Sequence, residues 1–286
     1  MLREPNLVLT YAAGEQFLEL DSFWVFAQTL SKLENTDKVI LTHEMSHLVR
    51  DRLSDLGFCV ENVTLKSANI LRDRHLHFWE YLNDHGHKYK YVSICDSKDV
   101  LFQRNPFDWL DEEWKPRFDS IKGNKSFLNN FVVLTSEGFR QSQSGFARIE
   151  NFEFQRDVPP QFITDDSDRW VINGGFSIGT PQALQCHEFL IWSVAMKTLG
   201  RCTDQATLNY LMNYLDEDAT YSISQPFQDT LCLHGEGVKE GFVKEPIVQD
   251  GEFRSSYLNE PYCVIHQWDR LSGHLKECAL AFESVR

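Results

Sequence analysis

Apolar residues in this chain come as short solid blocks alternating with longer stretches in which they recur every three or four positions. Leu7–Tyr11 (LVLTY) is one such block, stopped by Ala12-Ala13-Gly14, and predicts a buried strand. Asp21–Leu33 (DSFWVFAQTLSKL) has helical spacing, with Asp21 or Ser22 as its N-cap. Lys38–Thr42 (KVILT) predicts a second strand, His47–Leu56 a helix ended by Gly57, and Phe58–Val63 a third strand. Arg72–Asn83 reads as a helix rich in aromatics and Tyr89–Cys95 (YKYVSIC) as a fourth strand. Strands alternating with helices in this way predict βαβ units and a mostly parallel sheet, an α/β fold.

The second half is less regular. Residues 111–130 are polar and loop-like. Phe131–Thr135 (FVVLT) and Trp170–Ile178 (WVINGGFSI) predict strands, Pro181–Thr198 and Thr203–Leu215 helices, and Tyr262–His266 (YCVIH) a late strand. Residues 216–260 read as loops and short strands. No repeat, low-complexity tract or linker divides the chain, so one domain over 1–286 is expected.

The formal net charge of −14 opposes binding to nucleic acid and to anionic membrane faces. An anionic substrate would need a local reversal of that field, which a bound divalent metal supplies. Seven cysteines, an odd number with no C-x-x-C pair, read as buried free thiols of a reducing compartment. Residues 1–20 lack a basic start followed by an apolar run, and no apolar stretch is long enough to span a bilayer. The expectation is a cytoplasmic chain without signal peptide or membrane anchor.

Two stretches carry candidate chemistry. His43-Glu44-Met45-Ser46-His47 matches H-E-x-x-H, the pattern of a helical zinc site with a glutamate general base. It supplies two ligands where catalytic zinc takes three from the protein. The extended pattern needs a glycine where Arg50 stands and a histidine where Leu53 stands. The strand-like KVILT also puts His43 and Glu44 in a turn, so a chance match is the better reading. Tyr89–Phe107 (YKYVSICDSKDVLFQRNPF) is different: a buried strand runs directly into Asp96-Ser97-Lys98-Asp99. Ligands of open α/β sheets bind beyond the carboxyl ends of the strands. Two carboxylates there suit a hard divalent cation holding phosphate oxygens; a capped turn of solvated acids is the alternative.

This stretch resembles the DxD region of GT-A nucleotide-sugar glycosyltransferases, and three more resemblances follow in order. Val171–Thr180 (VINGGFSIGT) resembles their Asn-x-Gly sugar-binding strand, Thr203–Met212 (TDQATLNYLM) their Asp-Gln-x-x-Leu-Asn helix, and Tyr262–Arg270 (YCVIHQWDR) the late strand whose histidine completes the metal site. The resemblance covers about residues 5–275 and implies the GT-A fold: a Rossmann-like, mostly parallel central sheet flanked by helices. Residues 1–110 would then be the nucleotide-binding half and 111–286 the acceptor-binding half. It implies a metal-dependent hexosyl- or pentosyltransferase that moves a sugar from a UDP-sugar to a hydroxyl of a glycan acceptor.

The same resemblance implies that Asp96, Asp99 and His266 hold Mn²⁺ or Mg²⁺, with His234 a rival ligand. Lys98 stands where the second acid of a strict DxD falls, so which acid binds metal and which binds ribose stays open. Tyr11, Arg74, Asp96, Lys98, Asn173, Gly174 and Gly175 would contact the donor, Tyr11 by stacking on the base. Asp204 and Gln205 would be catalytic, as a general base for inversion or as stabilisers of an oxocarbenium-like species for retention. Trp268 is a candidate for stacking on a sugar face. Two alternatives remain: a nucleotide-sugar-binding protein of this fold without turnover, and a zinc peptidase built on His43, Glu44 and His47.

Overall fold

A computed structural model describes residues 4–12, 21–67, 69–117, 130–144, 169–197, 204–212 and 220–285. The first half alternates as its pattern predicts: β1 (Asn6–Tyr11), α1 (Asp21–Ser31), β2 (Thr36–Thr42), α2 (His47–Asp55), β3 (Phe58–Asn62), α3 (Ile70–His85) and β4 (Val92–Asp96). Then come β5 (Val100–Phe102), α4 (Pro106–Trp109), β6 (Val132–Arg140), β7 (Trp170–Gly179), α5 (Pro181–Ala195) and α6 (Asp204–Leu211). The chain continues through β8 (Tyr221–Ser224), β9 (Cys232–His234), α7 (Gly235–Lys239), β10 (Ile247–Gln249), β11 (Glu252–Arg254), β12 (Val264–His266) and α8 (Gly273–Val285).

The main sheet has the order β3-β2-β1-β4-β7-β6-β8. Its first four strands are parallel. Strand β7 runs antiparallel to β4 and β6, and β8 is parallel to β6. The alternating side chains of the central strands divide between two cores, as a period of two requires when both faces are covered. Val8 and Ile40 join Phe23, Phe26 and Phe58 on one face. Leu7, Leu9, Val39 and Leu41 join Phe78, Leu82 and Leu184 on the other. A buried pair, His75 Nδ1 to Glu188 Oε2 at 2.6 Å, ties α3 to α5 on that second face.

A second sheet, β5-β12-β9, stands over a third core containing Leu101, Leu233, Ile265 and Trp268. Each of its strands is three residues long, too short to carry a legible period. Its register sets His266 opposite Val100 in β5 and beside His234 in β9.

Several expectations change. The segment expected as a loop from residue 111 begins in a π-helical turn, Leu110–Trp114, which packs Trp114 on Phe131 at 4.4 Å between ring centroids. Strand β6 continues five residues beyond Thr135, to Arg140, through irregular pairing with β7. Helix α5 ends at Ala195; the ends of the expected 181–198 and 203–215 helices lie outside the described residues. Cys95, Cys232 and Cys263 are buried as expected, but Cys59 and Cys186 are exposed. Among the described residues no helix is long and apolar enough to cross a membrane.

Candidate active site

The site begins where parallel strands stop at one edge. Asp96 is the last residue of β4 and pairs in register with Tyr11, the last residue of β1. The Ser97 hydroxyl donates to the Tyr11 carbonyl at 2.9 Å, which turns the chain sharply and leaves Asp99 just before β5. Because β12 pairs antiparallel with β5, His266 arrives beside this turn. Its Nε2 lies 3.5 Å from Asp96 Oδ2 and 3.3 Å from Asp99 Oδ1. Among the described residues this is the one group of three or more His, Cys, Asp or Glu side chains with metal-ligand spacing, its ligand atoms lying within 4.8 Å of one another.

The donor set fits a hard divalent cation: two carboxylate oxygens and one imidazole nitrogen. Burial pushes the His266 imidazole down, but Asp99 and Asp96 outweigh it and raise the group to about 9. The ring is oriented from behind. His234 Nδ1 lies 3.1 Å from His266 Nδ1, which directs Nε2 at the two acids. His234 is fully buried, and burial and His266 push it well below the ordinary histidine range. It therefore orients His266 as a neutral partner and does not join the cluster. The chain after His266 turns through Gln267 at φ 57°, and the Gln267 Oε1 accepts the Glu236 N–H at 3.2 Å.

Strand β7 forms the floor. A Cβ on Gly175 would lie 2.2 Å from His266 Cε1 and 2.7 Å from Asp96 Oδ2, so the cluster packs directly on bare backbone. The Asn173 side chain accepts from Gly175 N at 2.6 Å and donates to Glu137 Oε1 at 2.7 Å. Beside it, Asn209 docks α6 onto the strand: Ile172 N donates to Asn209 Oδ1 at 2.9 Å, and Asn209 Nδ2 donates to Ile172 O at 2.9 Å and Gln205 O at 2.8 Å. This brings the start of α6 next to Asn173 and Gly174.

Arg74 joins the two ends. Asn69 caps α3 by accepting Leu71 N, and Asp73 accepts the backbone N–H groups of Lys66 and Ser67, each at 2.7 Å, which fixes the helix entry. From there Nη1 reaches Asp96 Oδ1 and Nη2 reaches Asp204 Oδ2, both at 2.8 Å. Burial pushes the Asp96 carboxyl up, but Arg74 and His266 outweigh it and hold it well below the usual carboxylate range. The second Asp204 oxygen accepts Gln205 N at 2.8 Å. Each Asp204 oxygen thus accepts one hydrogen bond that fixes the carboxylate at the start of α6.

An open cleft of about 730 Å³ lies over these groups. Arg74, Asp96, Asn173, Gly174, Gly175, Asp204, Gln205 and His266 all line it, along with Glu137, which sequence reasoning missed. Lys98 is half-buried in the turn and does not line the cleft. Tyr11 is 8% exposed, with its ring parallel to His77 at 6.0 Å and 24° from the plane of His43 at 6.5 Å. It is a buried member of this edge and lines a smaller pocket with Arg74, Asp96 and Asp204. Trp268 is 2% exposed in the third core, so it offers no face to a sugar. His43 and Glu44 precede α2 and His47 opens it, so the H-E-x-x-H residues do not share one helix.

Comparison with solved structures finds the same architecture in the galactosyltransferase LgtC bound to donor and acceptor sugar analogues. The identity is 13%, the TM-score 0.51, and the match covers 98% of this chain and 97% of that one. An active-site mutant of LgtC matches at 14% identity and a TM-score of 0.52, over 96% and 95%. The chain has the GT-A glycosyltransferase fold. The glycosyltransferase GlyE of Streptococcus pneumoniae TIGR4 shares this GT-A likeness at 12% identity and a TM-score of 0.54; 99% of this chain covers 61% of GlyE. No protein-family model and no curated protein matches the sequence.

Proposed function

We propose that this protein is a glycosyltransferase that moves a sugar from a nucleotide-sugar donor, a UDP-sugar, to a hydroxyl of a glycan acceptor. The observation that carries the reading is the convergence of Asp96, Asp99 and His266 beyond the end of β4, with Asp96 and His266 lining a cleft of a GT-A fold. A divalent cation, Mn²⁺ or Mg²⁺, held by these three side chains would supply the Lewis acidity that stabilises charge on a leaving nucleoside diphosphate.

The chain's own residues take the remaining roles. Residues 1–110 carry the nucleotide and residues 111–286 the acceptor. Arg74 keeps Asp96 and Asp204 at fixed separation, so the phosphate end and the sugar end of the cleft are held as one unit. Gly174 lets the sugar approach the β7 backbone, and Gly175 lets the cluster rest beside it. Gln205 faces the transferred sugar, and Asp204 places a negative charge beside the carbon that becomes electron-poor as the donor bond breaks.

The test is calorimetric titration with UDP, UDP-sugars and GDP-sugars, each with and without Mn²⁺, on the wild type and on Asp96→Ala, Asp99→Ala and His266→Ala. Binding that needs the metal and disappears in all three variants is the expected result, followed by sugar transfer or slow donor hydrolysis. Metal-dependent binding without any turnover would reduce the protein to a nucleotide-sugar-binding one. No nucleotide binding under any condition would sink the reading. His43→Ala leaves metal binding unchanged if the cluster on β4 is the site.

A further inference from the structure

Strands β6 and β7 pair regularly from Val132↔Gly179 to Leu134↔Ser177 and then lose register twice. The next pairs are Thr135↔Asn173 and Ser136↔Ile172, so Gly174, Gly175 and Phe176 bulge from β7. The following pair is Arg140↔Trp170, so Glu137, Gly138 and Phe139 bulge from β6 opposite Val171 alone. Bulges re-aim side chains that strand alternation would send elsewhere. Here the second bulge turns at Gly138, φ 82°, and sends Glu137 into the cleft while leaving it 4% exposed.

The partners of this carboxylate are unusual. Oε1 accepts Asn173 Nδ2 at 2.7 Å and Gln205 Nε2 at 3.3 Å. Among the described residues no basic side chain forms an ion pair with Glu137, so a buried acid is committed to two neutral amides. Oε1 faces the nitrogen of each amide, so each amide turns its oxygen away from Glu137. The Asn173 oxygen then takes Gly175 N, in the strand on which the Asp96–Asp99–His266 cluster rests. The Gln205 oxygen is left for the cleft.

We propose that Glu137 is the positioning residue of the sugar end of the cleft: by holding Asn173 and Gln205 through their amide nitrogens, it presents the Gln205 carbonyl oxygen to the transferred sugar. This rests on the glycosyltransferase reading for the sugar, but the amide orientation itself does not. The oxygen is the electron-rich end of the amide dipole, and its fixed direction favours positive charge developing on the sugar carbon without reorganisation.

Two variants separate positioning from direct chemistry. Glu137→Gln keeps an acceptor oxygen of the same reach, whereas Glu137→Ala removes it. In protein labelled with ¹⁵N at Asn and Gln side chains, the Asn173 and Gln205 amide protons should be protected from exchange in the wild type and in E137Q, and lose protection in E137A. Donor turnover in E137A should fall about 100-fold in kcat, the scale of a misplaced reacting group, with little change in donor KM and with folding confirmed by thermal melting. E137Q should recover most of that loss. Unchanged amide protection in E137A, or unchanged kcat, would overturn the proposal. Equal losses in E137Q and E137A would also overturn it, since the carboxylate itself would then be required. A wild type that never turns over a donor, yet shows the expected protection pattern, would fail the glycosyltransferase reading and leave the orientation standing.

Discussion

Gly175 and His266 are so close that a single added carbon on the glycine would sit 2.2 Å from Cε1 of the imidazole. Real side chains do not approach this closely, so Gly175→Ala must push the ring, and Asp96 behind it, out of place. The overpacking costs about 1–3 kcal/mol, and the fold survives. Metal-dependent nucleotide affinity should drop roughly tenfold or more, in line with disturbance of groups that orient a ligand. Calorimetry on the folded variant decides it; wild-type affinity would show that the cluster does not need this floor.

Asn209 satisfies both the N–H and the C=O of Ile172, acting as one residue of a neighbouring strand. Asn209→Leu should leave two buried backbone groups unpaired, at about 1–3 kcal/mol for each. Thermal unfolding would register this as a lowered melting temperature, with the start of α6 displaced from the cleft. An unchanged melt would mean that α6 is held by its apolar face alone.

Arg74 engages Asp96 and Asp204 with two different nitrogens of one planar guanidinium. Arg74→Lys keeps the charge but not the fork, and a lysine cannot reproduce the two-ended grip. Turnover should fall roughly 100-fold while metal affinity changes much less, since the ligand atoms remain. Equal activity in the lysine variant would assign Arg74 a purely electrostatic role.

His187 supplies a pH signature for stability. It is 2% exposed, packs on Tyr221, and has Glu188 and His75 as charged or titratable neighbours. Burial depresses it to about 4, with Glu188 opposing and His75 assisting. The folded pKa is below the unfolded one, so above pH 6.5 neither state carries the proton and nothing is lost. Below that, the unfolded chain takes up a proton that the folded chain refuses, and stability falls until the pH reaches about 4. The loss is roughly 3 kcal/mol. Urea unfolding of wild type and His187→Gln at pH 7.5 and 4.5 tests it: the stability gap between them should shift in favour of the variant at the lower pH.

Strand and helix order in the first half was legible because buried parallel strands are solid apolar runs and their helices carry a 3.6-residue period. Asp96 and Asp99 were legible for the same reason: a long buried strand running into two acids marks the edge where ligands bind in such sheets. The Asp-Gln-x-x-Leu-Asn pattern was legible as a motif, but the docking of α6 on β7 by its Asn209 emerges only in the structure. What the chain order alone left open was decided by contacts between distant segments. The approach of His266 to Asp99 depends on three-residue strands whose pairing has no local signal. Glu137 enters the cleft through a bulge that breaks the alternation from which its direction would be read. Tyr11 and Trp268 have the composition of ligand-stacking residues, yet one lies buried beside two histidines and the other lies in a core. An aromatic ring satisfies a core and a ligand by the same apolar contact, so its sequence context cannot separate the two, and packing does.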